Sequence, residues 1–175
     1  MTAAPRVRLV APSARWEPAF LAAVRRSRRL HAPWVSPPAT SATYRAHLRR
    51  LRRPTHVGYL VCRRGSRDLV GVVNVSEIVR GACRSAYLGY YAFTPHARQG
   101  LMTEAVALVV GTAFRRLGLH RLEANVQPGN LASLRLIRRL GFRREGYSPR
   151  YLKIRGRWRD HERWAILSDG GRRGR

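Results

Sequence analysis

The chain has 175 residues, 45% of them hydrophobic, with 15 glycines and 10 prolines. That size builds one core, since chains divide into domains beyond about 250 residues. No apolar run reaches the ~18 residues of a membrane span, and Met1 to Val10 alternates arginine with apolar residues where a signal peptide would be continuously apolar, so a cytoplasmic protein is expected. Charge sets the sequence apart: 35 basic residues against nine acidic give +26, and Lys153 is the only lysine. GC-rich codon usage explains arginine in place of lysine but not the shortage of acids, so a phosphate-bearing partner is expected, either a polyphosphate cofactor or loosely held ribosomal RNA.

Val7 and Leu9 alternate within a first strand, about Pro5 to Ala11. Ser13 then caps a helix carrying Trp16, Phe20, Leu21 and Val24 that runs to about Leu30. Pro33, Pro37 and Pro38 make His31 to Ala42 a loop, with Trp34 on irregular backbone, and a second helix covers about Thr43 to Arg52. Three β-rich runs follow, Val57 to Cys62, Leu69 to Val79 and Cys83 to Phe93, broken at Arg64-Gly65-Ser66 and Arg80-Gly81 into an antiparallel meander. Cys62 and Cys83 have no Cys or His at metal-ligand spacing and are read as buried thiols.

Beyond Gly100, Ala105, Val106, Val109, Val110, Ala113, Phe114 and Leu117 repeat at three and four residues, a helix that Gly118 ends. Arg121 to Gln127 is a strand. Pro128-Gly129-Asn130 turns into a helix with Leu134, Ile137 and Leu140 on one face, stopped by Gly141. Strands at about Phe142 to Ile154 and Trp158 to Leu167 close the chain as a hairpin through Arg155-Gly156. The expectation is a single domain over residues 5–168, followed by a disordered Gly/Arg tail at 170–175. Its fold class is α/β with a mixed sheet in three layers: an antiparallel meander, one strand-helix-strand crossover and a C-terminal hairpin.

Chemistry concentrates where the third meander strand meets the regular helix. Phe-Thr-Pro-His-Ala-Arg-Gln-Gly-Leu-Met-Thr, residues 93–103, is a strand end, a glycine turn and a helix start. The first amides of a helix lack intrahelical acceptors and carry its partial positive charge, so those from Arg98 to Thr103 suit a pyrophosphate, with Gly100 allowing close approach. An ordinary helix start fits the same residues.

The run from Gly89-Tyr90 through Gln99-Gly100-Leu101-Met102-Thr103-Glu104-Ala105 resembles the acetyl-CoA loop of the GNAT N-acetyltransferases, in particular the ribosomal-protein-alanine (Rim-type) branch. Pro128-Gly129-Asn130-Leu131-Ala132-Ser133 with Leu140-Gly141-Phe142, Glu145-Gly146-Tyr147, Trp158-Arg159-Asp160-His161 and Val79-Arg80-Gly81 agree in order and distance. The family loop reads Gln/Arg-x-x-Gly-x-Gly/Ala; Ala97 and Met102 depart from it, so backbone amides must carry the binding.

The resemblance implies acetyl-CoA as co-substrate, without a metal. Arg98, Gln99, Gly100, Leu101, Met102 and Thr103 would surround its phosphates. At Ala92 and Phe93 the strand would splay to admit pantetheine, with a backbone N–H polarising the thioester carbonyl, an interaction worth about 2.7–4 kcal/mol in comparable sites. Asn130 would hold the pantetheine arm and Ser133 would protonate the leaving thiolate; an N-cap and a solvated serine are the plain alternatives. In a related branch a glutamate precedes the tyrosine matching Tyr151; here Arg150 stands there and is no base.

Glu77, Glu123 and Asp160 are the acids expected near the cleft, with Asp160 leading for amine contact. Trp34, Tyr91 and Trp158 are expected on the substrate side, or else in packing. His96, His120 and His161 are read as structural. An α-amine of pKa about 7.7–8.0 is roughly a tenth to a sixth neutral at pH 7, against about four parts in ten thousand for lysine at about 10.4. This favours direct attack by a ribosomal-protein N-terminus in a ternary complex. A small amine such as an antibiotic or polyamine, or a ribosome-associated binding protein without turnover, are the alternatives.

Overall fold

The computed structural model describes residues 4–168; the Gly/Arg tail at 170–175 lies outside the described residues. Seven strands form one mixed sheet in the order β1-β2-β3-β4-β5-β7-β6. These are β1 (Val7–Val10), β2 (Val57–Arg63), β3 (Leu69–Val79), β4 (Ser85–Ala92), β5 (Arg121–Val126), β6 (Arg143–Ile154) and β7 (Arg157–Leu167). Neighbours are antiparallel except β4 and β5, which the crossover makes parallel. The hairpin returns so that β7 lies against β5 and β6 takes the edge.

The expected first helix is divided. A 3-10 turn at Ala14–Trp16 leads into α1 (Glu17–Arg26), and Ser27 separates it from the single turn α2 (Arg28–His31). Ser13 precedes the 3-10 turn but its hydroxyl caps nothing; Trp16 N–H donates to its carbonyl instead, and Pro18 fits the first turn of α1. The break at Ser27 has a use, because its buried hydroxyl accepts from Thr94 N–H at 2.9 Å.

Helix α3 spans Ser41–Arg50 and starts earlier than expected because Thr40 and Thr43 cap each other: Thr43 N–H donates to Thr40 Oγ1 at 3.2 Å and Thr40 N–H to Thr43 Oγ1 at 3.0 Å. Helix α4 (Leu101–Arg115) ends where Gly118 adopts φ +65°, letting Leu119 N–H reach Ala113 O at 3.1 Å. Helix α5 covers Leu131–Arg139.

Alternation along the strands gives the sheet two apolar faces. Val73, Val75 and Leu88 pack with Ala105, Val106 and Val109 of α4 and Leu134 and Ile137 of α5. The opposite face sets Leu60 and Val72 against Phe20, Ala23, Val24, Tyr44 and Phe93. Each large side chain buried there stabilises the fold by about 1.5–3 kcal/mol. Cys62 lies in this second core, but Cys83, expected to be buried, is exposed beside the β3–β4 turn at Gly81.

One irregularity of the sheet positions the site. Strands β4 and β5 pair only over Ser85–Tyr87 and Arg121–Glu123, after which β4 follows β3 to Ala92 while β5 follows β7 to Val126. From Leu88 and Ala124 onward the two strands part, and their facing backbone groups border a wedge.

Candidate active site

Ladder parity decides which backbone groups look into the wedge. Phe93 N–H donates to Val70 O at 2.7 Å, so this residue bonds towards β3. In an antiparallel ladder the bonding side alternates, so Tyr91 also faces β3 while Tyr90 and Ala92 turn to the wedge. Of the expected pair, Phe93 therefore has no amide to offer, and Tyr90 takes its place. The Ala92 carbonyl is occupied by His31 Nε2 at 2.7 Å. Burial lowers the His31 pKa more than that carbonyl raises it, so the ring is a neutral donor. Tyr91 packs edge-on to both His31 and Phe93 and is partly buried against the second core.

At the head of α4, Arg98 and Gly100 take φ values of +64° and +76°. The turn delivers the unpaired amides of Leu101, Met102 and Thr103 to one end of the helix. The side chains of Leu101 and Met102 are buried, and a β-carbon on Gly71 would stand 2.5 Å from both Met102 Sδ and the Tyr91 carbonyl oxygen, a backbone atom that cannot step aside, so Gly71 must remain glycine. Methionine at 102 is thus a core residue that contributes only its amide to the helix end. Gln99 Nε2 donates to Pro95 O at 3.1 Å and steadies the turn.

Arg6, which drew no attention in the sequence, clamps this turn. Its N–H donates to Glu104 Oε2 at 2.9 Å, its Nε to Glu104 Oε1 at 2.6 Å and its terminal nitrogen to Gln99 O at 3.0 Å. Partial burial raises the Glu104 pKa, but the Arg6 bonds outweigh it and hold the carboxyl below its usual range. The same terminal nitrogen is 3.3 Å from a β-carbon placed on Gly100. Helix amides, a left-handed glycine and a guanidinium meet at one point, a donor set suited to a pyrophosphate.

Across the wedge, Asn130 caps α5 by accepting from Ser133 N–H at 3.2 Å, leaving its side-chain NH₂ to donate elsewhere. Ser133 Oγ lies 2.7 Å from Tyr90 Oη. Burial pushes the Tyr90 pKa up to about 12 despite the serine bond, so the phenol keeps its proton at neutral pH. Two protonated hydroxyls in series therefore stand at the wedge.

A cavity of about 450 Å³ opens between the loop after α2 and the C-terminal hairpin, lined by Trp34, Gln127, Tyr147, Trp158 and Asp160 among others. Gln127 Nε2 donates to Trp34 O at 3.2 Å, and a β-carbon on Gly129 would come within 3.3 Å of the Trp34 ring, so this loop is docked on the β5–α5 turn. Asp160 accepts from Arg150 N–H at 2.8 Å and from Tyr147 Oη at 2.5 Å, bonds that lower its pKa and leave each oxygen a second lone pair with which to accept. Glu123 is paired with Arg121 at 2.9 Å. Glu77 is not at this cavity; it lines a second one, of about 200 Å³, under α3. Among the described residues no group of three His, Cys, Asp or Glu could hold a metal ion.

Residues 6–143 match the acetyltransferase (GNAT) domain family. The chain is 47% identical over 100 residues to a probable N-acetyltransferase, YjcK, of Bacillus subtilis, covering 57% of this chain and 55% of that protein. It is 40% identical over 102 residues to the [ribosomal protein uS5]-alanine N-acetyltransferase of Escherichia coli, covering 58% and 53%. The matched segments thus span about half the length of these relatives. The structure of Mycobacterium smegmatis RimJ in complex with CoA-disulfide superposes with a TM-score of 0.83 at 28% identity, covering 93% of this chain and 82% of that one. With the fold, the wedge and the helix end already in place, the match settles the class: the chain belongs to the GNAT acetyltransferase domain family, whose members draw their acetyl group from acetyl-CoA.

Proposed function

We propose that the protein transfers the acetyl group of acetyl-CoA to the N-terminal α-amine of a ribosomal protein, alanine being the first residue. The observation that carries the transfer reading is the parting of β4 from β5, which leaves the Tyr90 amide facing a wedge next to the Ser133 and Tyr90 hydroxyls. Bound acetyl-CoA supplies an activated thioester. The head of α4, with Arg6, Arg98, Gln99, Gly100 and the amides of residues 101–103, would hold its phosphates. The Ala92 amide and the Asn130 side-chain NH₂ would hold the arm.

The Tyr90 N–H then donates to the carbonyl oxygen as it gains charge, an interaction that grows in the transition state and so accelerates it. Ser133 Oγ–H gives its proton to the departing sulfur and is reprotonated from Tyr90 Oη–H. The phenolate left behind recovers a proton through water as the acceptor nitrogen sheds its own on forming the amide. The acceptor arrives mostly as the ammonium and must be neutral when it attacks, which an α-amine of pKa about 7.7–8.0 manages without a strong base. The Rim-type target is supported by the 40% identity to an enzyme named for ribosomal protein uS5. The charge of +26 fits loose attraction to the ribosome, where the acceptor is found.

Thiol release should be measured with acetyl-CoA and, in parallel, a peptide beginning with alanine, the small-subunit ribosomal protein that carries it, and a polyamine. The expected outcome is release with the first two and a mass gain of one acetyl on the alanine. Acetylation of the polyamine alone would reject the ribosomal target, and no release with any amine would reject transfer.

A further inference from the structure

The cavity of about 200 Å³ under α3 lies on the opposite face of the sheet from α4, bordered by Arg50, His56, Asn74, Ser76, Glu77 and Gly89. Among its polar groups are an exposed carboxylate, Glu77, and one buried acceptor that lacks a donor. Asn74 Oδ1 is buried with no hydrogen-bond partner among the described residues. The Glu77 carboxylate stands 3.5 Å from His56 Nε2, too far for a good hydrogen bond and close enough to share a donor placed between them. A buried acceptor without a donor is unfavourable unless a ligand or water supplies one.

Glu77 is held there by the backbone. It sits at φ +51°, in a bulge where the β3–β4 register slips between Ser76 and Val79. Bulges re-aim side chains in this way. The bulge is fastened by Ile78 N–H donating to Thr55 O at 3.0 Å. The same loop carries His56, whose Nδ1 is 2.9 Å from Thr55 Oγ1. Arg50, the cation at the rim, lies 3.3 Å from His47 Nδ1. In a chain with nine acids against 35 basic residues, a cavity whose Glu77 carboxylate offsets Arg50 beside an unmatched amide oxygen is locally far less cationic than the chain as a whole.

Gly89 lines the cavity and is the residue before Tyr90. It pairs with Asn74 across the ladder, and a β-carbon there would meet nothing within 4 Å. The next residue is Tyr90, whose amide faces the wedge, one Cα step of about 3.8 Å away.

We propose that this cavity seats the primary ammonium end of the acceptor, held by the Glu77 carboxylate, Asn74 Oδ1 and His56, and passes it over Gly89 to the thioester. The inference rests on the acetyl-transfer reading and assigns its acceptor subsite to β3, β4 and the α3–β2 loop. It explains how a cationic substrate approaches a strongly cationic protein: attraction is local, within the roughly 8 Å that salt leaves unscreened. A hydrogen-bonding pocket also rejects acceptors lacking the ammonium group, because its buried amide oxygen then stays unpaired.

The test uses Glu77→Gln and Gly89→Val in the full chain. The added valine enters open space, and thermal melts confirm folding. With a tetrapeptide beginning in alanine, both variants should raise KM at least tenfold, change kcat less, and keep the acetyl-CoA dissociation constant within twofold. Unchanged KM in both folded variants overturns the seat. If wild type binds acetyl-CoA but acetylates no amine, the transfer reading fails separately. The seat is then judged by calorimetry of the peptide: binding to wild type that Gly89→Val abolishes upholds it, whereas equal binding, or none to wild type, overturns it.

Discussion

The two sides of the wedge are built from different materials. On the α4 side the groups proposed to hold acetyl-CoA are mostly backbone: the unpaired amides of one helix turn, the Tyr90 amide, and a glycine whose φ of +76° brings the turn into place. The side chains of Arg6, Asn130 and Ser133 join them. On the α3 and hairpin side they are side chains from separated segments, among them Trp34, His56, Asn74, Glu77, Tyr147, Trp158 and Asp160. Backbone donors tolerate sequence change so long as the turn forms, which is how Ala97 and Met102 can depart from the family loop. Side-chain sites can be retuned residue by residue. A constant cofactor and a variable acceptor suit that division.

Ser133 belongs to the constant side, and changing it should have the largest effect. Ser133→Ala retains the N–H that Asn130 caps, so α5 survives while the hydroxyl is lost. Turnover should fall about 10²–10⁴-fold, the usual range for general acid catalysis, with little change in acetyl-CoA affinity. Tyr90→Phe should reduce turnover less, because Ser133 can still donate once and recover its proton from water. Steady-state kinetics beside calorimetry checks both, and turnover near wild type in Ser133→Ala would reduce Ser133 to a helix-start residue.

Next comes the turn itself. Gly100→Val puts a β-branched side chain at a left-handed position and towards Arg6, so the acetyl-CoA dissociation constant should rise at least tenfold, about 1.4 kcal/mol. Arg6→Ala should act on the same ligand more weakly, about two- to fivefold, as expected for an exposed charge near a helix end worth roughly 0.3–1 kcal/mol. Equal affinity in both variants would place the phosphates elsewhere and break the contrast between the two sides.

The contrast also accounts for what the sequence disclosed. The meander, crossover and hairpin are local patterns: alternation, three-four spacing and glycine punctuation lie within a few residues of one another. The head of α4 is equally local, and Gly100 with its following residues could be found by reading along the chain. Arg6 could not, because its partner Glu104 is 98 residues away. Ladder parity moved the wedge amide from Phe93 to Tyr90, and parity depends on which register β3 and β4 adopt. Glu77 was noticed as an acid, yet its neighbour His56 arrives through a bulge fastened to a loop. Ser27 looks like any helical serine until Thr94 is seen to donate to it. The acceptor side is made of such long-range pairings, and single-sequence spacing carries no record of them.

A further expected effect is on stability, and it separates packing from function on the α3 side. His47 is buried, its Nδ1 is 3.3 Å from an Arg50 nitrogen, and its Nε2 has no partner among the described residues. Burial, then Arg50, then His56 lower its pKa from 6.5 to about 4. The folded state therefore refuses a proton that the unfolded chain accepts. Between pH 6.5 and about 4 the unfolded state binds more protons, so stability falls as the pH falls; below about 4 both states are protonated and this contribution levels off. His47→Phe removes the titrating group while keeping an aromatic ring beside Tyr44, whose centroid is 6.4 Å away. Urea midpoints measured from pH 7 to 4.5 should decline less steeply in His47→Phe than in wild type. His31 and His161, also lowered by burial, remain in both proteins and drop out of the comparison. Parallel curves would mean that His47 already protonates in the folded state, and the α3 side would then be open enough to water for its histidines to titrate freely.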